Sequence, residues 1–398
     1  MARKIIVSGI GCCLMDFLYN NIDFRGEAIR PLLSRKRGDG GLVPGQLVFT
    51  EELEKFSGSG IESILKRITT GRSADNINIG GPSIVSLIHI AQMVDRKSCE
   101  VRFYGRGGKD DAGKYLHSSL LKTPVVLHDY NLTDNQTPST IVLSDPAYDN
   151  GHGERMFINS IGAAWDYIPD DLDDEFFNSD IVAFGGTALV PGIHDHLTEL
   201  LKKARSNGCM TIVNTVFDFR NEKNNPGKRW PLGNSDESYH LIDLLITDRE
   251  EALSLSGEKD TQGAVRFFLD NKVSSFIITN GSKNITVYSD GHIFSPCPLK
   301  ELTVSAEAVK KLGNNTTGDT TGCGDNFAGG VIASMVTQLN EGVQHPDFQE
   351  ACSWGVVSGG FTCFYMGGTY LEKEPGEKRR KIGPFYESCK KQISGQYH

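Results

Sequence analysis

Gly322-Cys323-Gly324-Asp325 sets two glycines, a small residue and a carboxylate just ahead of the apolar run Val331-Ile332-Ala333-Ser334-Met335-Val336. As the start of a buried helix, this turn brings backbone N–H groups without intrahelical acceptors, and the positive end of the helix dipole, beside one potential base. Phosphoryl transfer to an alcohol needs both parts: donors for the charge on the transferred group and a carboxylate to take the hydroxyl proton. On this reading Asp325 is the base, kept ionised by the dipole, and the Gly322, Cys323 and Gly324 amides are the anion hole. A bare Gly-x-Gly-Asp also occurs by chance as a loop that merely turns a strand into a helix, so the longer pattern must carry the weight.

The elements that would position this turn are legible along the chain. Short β-rich runs at Ile5-Ile6-Val7, Val101-Arg102-Phe103-Tyr104, Ile181-Val182-Ala183-Phe184, Met210-Thr211-Ile212-Val213, Leu244-Leu245-Ile246 and Phe276-Ile277-Ile278 alternate with helical periodicity, as over 197–206 and 263–270. Such alternation predicts an α/β fold with a mainly parallel sheet, helices covering it, and ligands beyond the C-terminal strand edge. The stretch 84–94 is apolar nearly all round and predicts a buried helix. Two regions break the alternation. Over about 19–78 a helix is expected behind a Ser59-x-x-Glu62 capping box, with Ile61, Ile64, Leu65 and Ile68 on one face; over about 124–161, Ile141-Val142-Leu143 and Arg155-Met156-Phe157-Ile158 read as short strands.

At 398 residues and 38% hydrophobic content, the chain is long enough to bury one large core or two modest ones. A net charge of −9 argues against nucleic acid or an anionic membrane as the main partner. Nine scattered cysteines form no C-x-x-C pair, and Met1-Ala2-Arg3-Lys4 leads directly into Ile5-Ile6-Val7, so a reduced, cytoplasmic protein is expected. The Asn-x-Thr triplets at Asn131, Asn135, Asn284 and Asn315 are read as chance. There is no G-x-x-x-x-G-K-[ST] run. A dinucleotide fingerprint is missing too, since Gly9-Ile10-Gly11-Cys12-Cys13-Leu14 lacks a third glycine.

The whole stretch Asp319-Thr320-Thr321-Gly322-x-Gly324-Asp325-x-Phe327-x-x-Gly330 resembles the C-terminal signature of the ribokinase-like (PfkB) carbohydrate and nucleoside kinases, with Cys323 where that family usually has Ala. The resemblance runs over essentially the whole chain. It implies a single kinase domain over 1–398: a three-layer α/β/α arrangement with a mainly parallel central sheet and a small β lid from about 17–50 and 124–161. It also implies ATP with Mg²⁺ as phosphoryl donor and a sugar or sugar-like alcohol as acceptor. An adenosine or nucleoside kinase is the first alternative, favoured by the spacing of Gly9 to Asp16, and a non-catalytic sugar-binding regulatory relative is the second. Lid-to-lid homodimers occur among such proteins.

Residue by residue, Asp16 matches the carboxylate that binds substrate hydroxyls, and Gly80-Gly81 the segment where backbone approaches the sugar. Where the family usually carries a substrate-binding Asn, this chain has Val85, which leaves Ser83 or Asn78 to supply the contact. Gly105 to Gly113 resembles a structural turn whose Asp opens a helix. Arg155, ahead of Gly162-Ala163-Ala164, faces a substrate anion or balances a surface carboxylate, and the second reading is preferred. Asp248 and Glu251 fall on the family's Asn-x-x-Glu motif, which holds Mg²⁺ through water, with Asp in place of Asn. Thr279 and Gly281 match the turn beside the nucleotide, together with Gly322 and Gly324. Gly367-Gly368 lies where some members hold a monovalent cation such as K⁺. Asn214 and Arg220 are displaced relative to the family's middle motif and receive no catalytic role.

Overall fold

The computed structural model describes residues 3–36, 38–151, 153–312 and 320–395; Met1, Ala2, Asn315 and Asp319 of the sequence reading lie outside them. Nine strands form one sheet: β1 (Ile5–Gly11), β5 (Cys99–Gly108), β6 (Val126–Thr133), β9 (Ile181–Gly185), β10 (Met210–Asn214), β11 (Leu244–Asp248), β12 (Ser275–Thr279), β13 (Ile285–Ser289) and β14 (Cys297–Leu302). Their order is β14-β13-β12-β11-β10-β9-β1-β5-β6. Every pairing from β12 to β6 is parallel, and β13 and β14 extend the sheet antiparallel. All six strands expected from sequence lie in this sheet.

Neighbouring residues of one strand enter opposite cores. Ile212, Leu244 and Ile277 join the apolar cluster on one face; Val213, Leu245 and Phe276 join the cluster on the other. Helices cover both faces, which is why these strands read as continuous apolar runs. The helix Pro82–Met93 is buried at all of its residues, as its apolar sequence predicts. It packs against the helix Cys323–Asn340, which packs in turn against Phe348–Thr362.

A second sheet holds β2 (Leu14–Tyr19), β3 (Leu47–Phe49), β4 (Asn76–Gly80), β7 (Ser139–Asp145) and β8 (Glu154–Ser160) in the order β3-β8-β7-β2-β4, over its own apolar cluster. The runs expected at 141–143 and 155–158 are thus β7 and β8, while β6, within the same expected segment, pairs with β5 in the large sheet. One local expectation fails. The helix Ile61–Thr69 has Gly60, not Ser59, as its N-cap, and its first amide is satisfied by Glu54 Oε1 at 2.7 Å from the preceding helix.

Candidate active site

The C-terminal ends of the parallel strands converge on one edge: Gly11, Gly185, Asn214, Asp248 and Thr279 close β1, β9, β10, β11 and β12. Facing them is the first turn of Cys323–Asn340. Gly322 is its N-cap with φ +73°, and a Cβ there would stand 2.6 Å from Gly368 Cα, so conformation and space both require glycine. Gly324 is exposed, with open space where a Cβ would lie. Further along, a Cβ on Gly329 would meet the Ser86 carbonyl oxygen at 2.7 Å and one on Gly330 would meet Ser358 Oγ at 2.5 Å. These two glycines let the helix lie close against both neighbours, which fixes where its N-terminus points. The Cys323 amide lies 3.3 Å from the Thr320 carbonyl oxygen. That bond engages the Cys323 amide, one of the 322–324 set expected from sequence.

Asp325 is the third residue of the helix and keeps partial exposure. Burial lifts its carboxyl to about 6, against a hydrogen bond from Asn214 that favours the ionised form. Desolvation therefore opposes the ionised form expected here, although a carboxyl at about 6 is still mostly ionised at pH 7. Asn214, passed over in the sequence, is the side chain that orients this carboxylate. Only the meeting of β10 with a distant helix reveals it.

Glu251 sits beside this pair. It forms a reciprocal cap with Asp248: Asp248 Oδ1 accepts from the Glu251 amide at 2.8 Å, and Glu251 Oε2 accepts from the Asp248 amide at 3.2 Å. Thr215 Oγ1 donates to the same Oε2 at 2.5 Å. Burial first, then the charges of Asp248 and Asp325, push Glu251 up to about 8. Among the described residues no cluster of three or more His, Cys, Asp or Glu forms a direct metal cage. Asp248, Glu251 and Asp325 offer only oxygen donors, the kind that a hydrated cation such as Mg²⁺ takes.

Beneath the turn, Asn326 ties the site together. Its Nδ2 donates to the carbonyl oxygens of Gly322 and Gly368, each at 2.8 Å. Its Oδ1 accepts from Lys378 Nζ at 2.8 Å and from His89 Nδ1 at 2.9 Å. The His89 ring therefore carries its hydrogen on Nδ1 and accepts from Ser358 Oγ at Nε2, 2.9 Å away. Burial holds His89 well below its ordinary value and brings Lys378 down to about 7. Nothing in the run Glu377-Lys378-Arg379-Arg380 marks Lys378 as buried, yet its residue exposure is 1%.

On the other side lie the residues expected to meet substrate. Asp16, on β2, is buried, and a Cβ on Gly80 would stand 2.1 Å from Asp16 Oδ2, so the carboxylate lies directly over that glycine. Gly81 has φ +106° and opens the helix Pro82–Met93. Asn78, opposite Asp16 across the strand pair, is taken by the following loop: its Nδ2 donates to the carbonyl oxygens of Met366 at 2.8 Å and Thr369 at 3.3 Å. Val85 belongs to the apolar cluster and packs beneath Gly368, its Cγ2 3.2 Å from where a Cβ would stand. Loop 366–369 thus bridges Asn78 to Gly322.

Thr279, Gly281, Val304, Ala308, Gly324 and Phe327 line a cavity of about 370 Å³, mostly apolar and open to the helix turn. Thr279 and Gly281 therefore share one cavity with Cys323 and Gly324 of the glycine turn, and Gly322 is not part of its lining. From β8, Arg155 donates through Nη1 to Thr321 Oγ1 at 2.8 Å and through Nη2 to Thr320 Oγ1. It joins the small sheet to the residues leading into the glycine turn. Asp110 behaves as the structural turn predicted, capping its helix through the Gly113 amide at 2.7 Å. Arg220 is held by Asp195, away from Asp325.

Over residues 74–374 the chain matches the family model described as pfkB family carbohydrate kinase. Among solved structures it is similar to adenosine kinase from Sinorhizobium meliloti, at 16% identity and TM-score 0.68, over 95% of this chain and 99% of that one. Adenosine kinase from Schistosoma mansoni in complex with 2-fluoroadenosine is 17% identical with TM-score 0.69, over 92% and 97%. Ribokinase from Thermotoga maritima is 16% identical with TM-score 0.60, over 96% and 99%. At such identities the structural likeness speaks for the fold alone.

Proposed function

The chain belongs to the pfkB family of carbohydrate kinases, phosphotransferases with an alcohol as acceptor, and from that premise we propose that it moves the γ-phosphoryl group of ATP to a hydroxyl of a sugar or nucleoside, with Asp325 as base. One observation carries the reading: Asp325 is oriented by Asn214 at the strand edge and stands in the same helix turn as the open Gly324 backbone. A hydroxyl placed between them gives its proton to the carboxylate while the turn's amides take the charge of the incoming group. Arg155 adds a guanidinium at the entrance to that turn. Asp16 receives substrate hydroxyls, and the largely apolar cavity beside Thr279 and Gly281 receives the nucleotide base.

Asp248 and Glu251 would hold Mg²⁺ through water, and the ion would supply charge to offset that of the phosphates. Among the described residues no helix is long and apolar enough to cross a membrane. A nucleoside acceptor is the second reading, favoured by the spacing between Gly9 and Asp16. Release of ADP from Mg·ATP is measured with pentoses, hexoses, their phosphates and nucleosides in turn. One acceptor class should give turnover well above ATP hydrolysis alone; a uniform background across the panel contradicts the assignment.

A further inference from the structure

Of the nine cysteines, seven are buried. Burial pushes such thiols up, Cys99 to about 12 and Cys389 to about 11, which suppresses the thiolate that oxidants attack. The two that keep exposure, Cys323 and Cys363, are also in contact, with their sulfurs 3.3 Å apart. Cys323 is the first residue of its helix, where the positive helix end favours an anion such as a thiolate. Cys363 caps the end of Phe348–Thr362. Gly359, one turn earlier, permits the approach: a Cβ there would stand 3.0 Å from the Cys323 carbonyl oxygen. Both thiols line the cavity beside Gly324, so a small oxidant reaches them from solvent.

We propose that Cys323 and Cys363 form a reversible disulfide that closes the nucleotide cavity. The disulfide is argued from the cysteines alone; its effect on turnover rests on the kinase reading. With hydrogen peroxide as oxidant, one thiolate breaks the O–O bond, gaining OH as a sulfenic acid, while the other oxygen leaves as hydroxide and takes up the proton that the thiol released, becoming water. The second thiolate attacks that sulfur, the S–S bond forms, and hydroxide leaves and takes the proton released by the second thiol to become water, so two electrons pass from the sulfurs to the peroxide. A dithiol reductant reverses the step. Closing 3.3 Å to a bond of about 2.05 Å is within reach of side-chain rotation. The bond then ties the first residue of the glycine turn to the neighbouring helix and crosses the cavity wall.

The test uses the full chain, reduced and then treated with peroxide. After alkylation, chymotryptic cleavage at Phe327, Trp354, Phe361 and Phe364 separates Cys323, Cys352 and Cys363. The expected product links the fragment ending at Phe327 to Thr362-Cys363-Phe364. Binding of a fluorescent ATP analogue and turnover should each fall by about tenfold or more and return with dithiothreitol. Cys363→Ser and Cys363→Ala, each compared with its own reduced form, should lose that response. Absence of the linked fragment overturns the proposal whatever the enzyme's activity. A linked protein that binds the analogue as before overturns the closure. A reduced protein that shows the link on oxidation but never turns over leaves the disulfide standing and removes the kinase reading.

Discussion

Glu251 concentrates the site's electrostatic problem in one residue. Burial, Asp248 and Asp325 all oppose its charge and push it up to about 8 from an ordinary 4.5. The folded state thus keeps a proton that the unfolded chain releases above about 4.5, and stability from this group is full below 4.5 and lost as pH rises through about 8. Glu251→Gln should flatten the fall of Tm across that window. Added MgCl₂ should raise the Tm of the natural protein at pH 8 and do less for the variant. A variant with an unchanged Tm slope and an unchanged Mg²⁺ response would remove Glu251 from the cation site. Val85 resolves at the same scale. Its burial under Gly368 makes it part of the floor of the glycine turn, so the absent Asn reflects packing there. Asn78 is committed to loop 366–369 through two carbonyls.

Elements aim these residues. Gly329 and Gly330 let Cys323–Asn340 press on two helices at once, and Asn326 clamps the turn to loop 366–369 over a buried Lys378 and His89. The motif was legible in the sequence because its residues are contiguous. Lys378 was not, because its burial depends on how the helix Glu377–Gly395 docks, and in sequence it stands among exposed charges. Ser59 misled for a related reason, since the cap of its helix comes from Glu54 in another element. Arg155 links the small sheet to the residues leading into the glycine turn. A charge-assisted hydrogen bond is worth about 1.5–3 kcal/mol, so Arg155→Ala should lower kcat/KM for ATP by about 10- to 100-fold. Arg155→Lys keeps the charge but does not span two hydroxyls, so it should recover only part of the loss. Steady-state kinetics at saturating acceptor checks this, and a near-normal Arg155→Lys would show that charge alone suffices.

At the scale of the whole molecule, the large sheet was readable because its central parallel strands are buried on both faces and apolar, as in Leu244-Leu245-Ile246. β14 was not: Pro298, Leu299 and Glu301 on this edge strand are exposed, and its sequence carries no comparable run. β3 is three residues long, too short for periodicity to mark. Convergence of Asn214, Asp248 and Thr279 on the glycine turn follows from strand order, which composition does not encode. The central claim is that this edge performs phosphoryl transfer with Asp325 as the proton acceptor. Its most direct test is turnover and nucleotide affinity for Asp325→Asn, which keeps the shape of the side chain and removes the base. kcat should fall by about 10²- to 10⁴-fold with ATP binding nearly unchanged, while the natural enzyme gains activity as pH rises through about 6, where Asp325 loses its proton. Near-normal turnover in the variant, or a loss of nucleotide binding equal to the loss of turnover, would contradict the account.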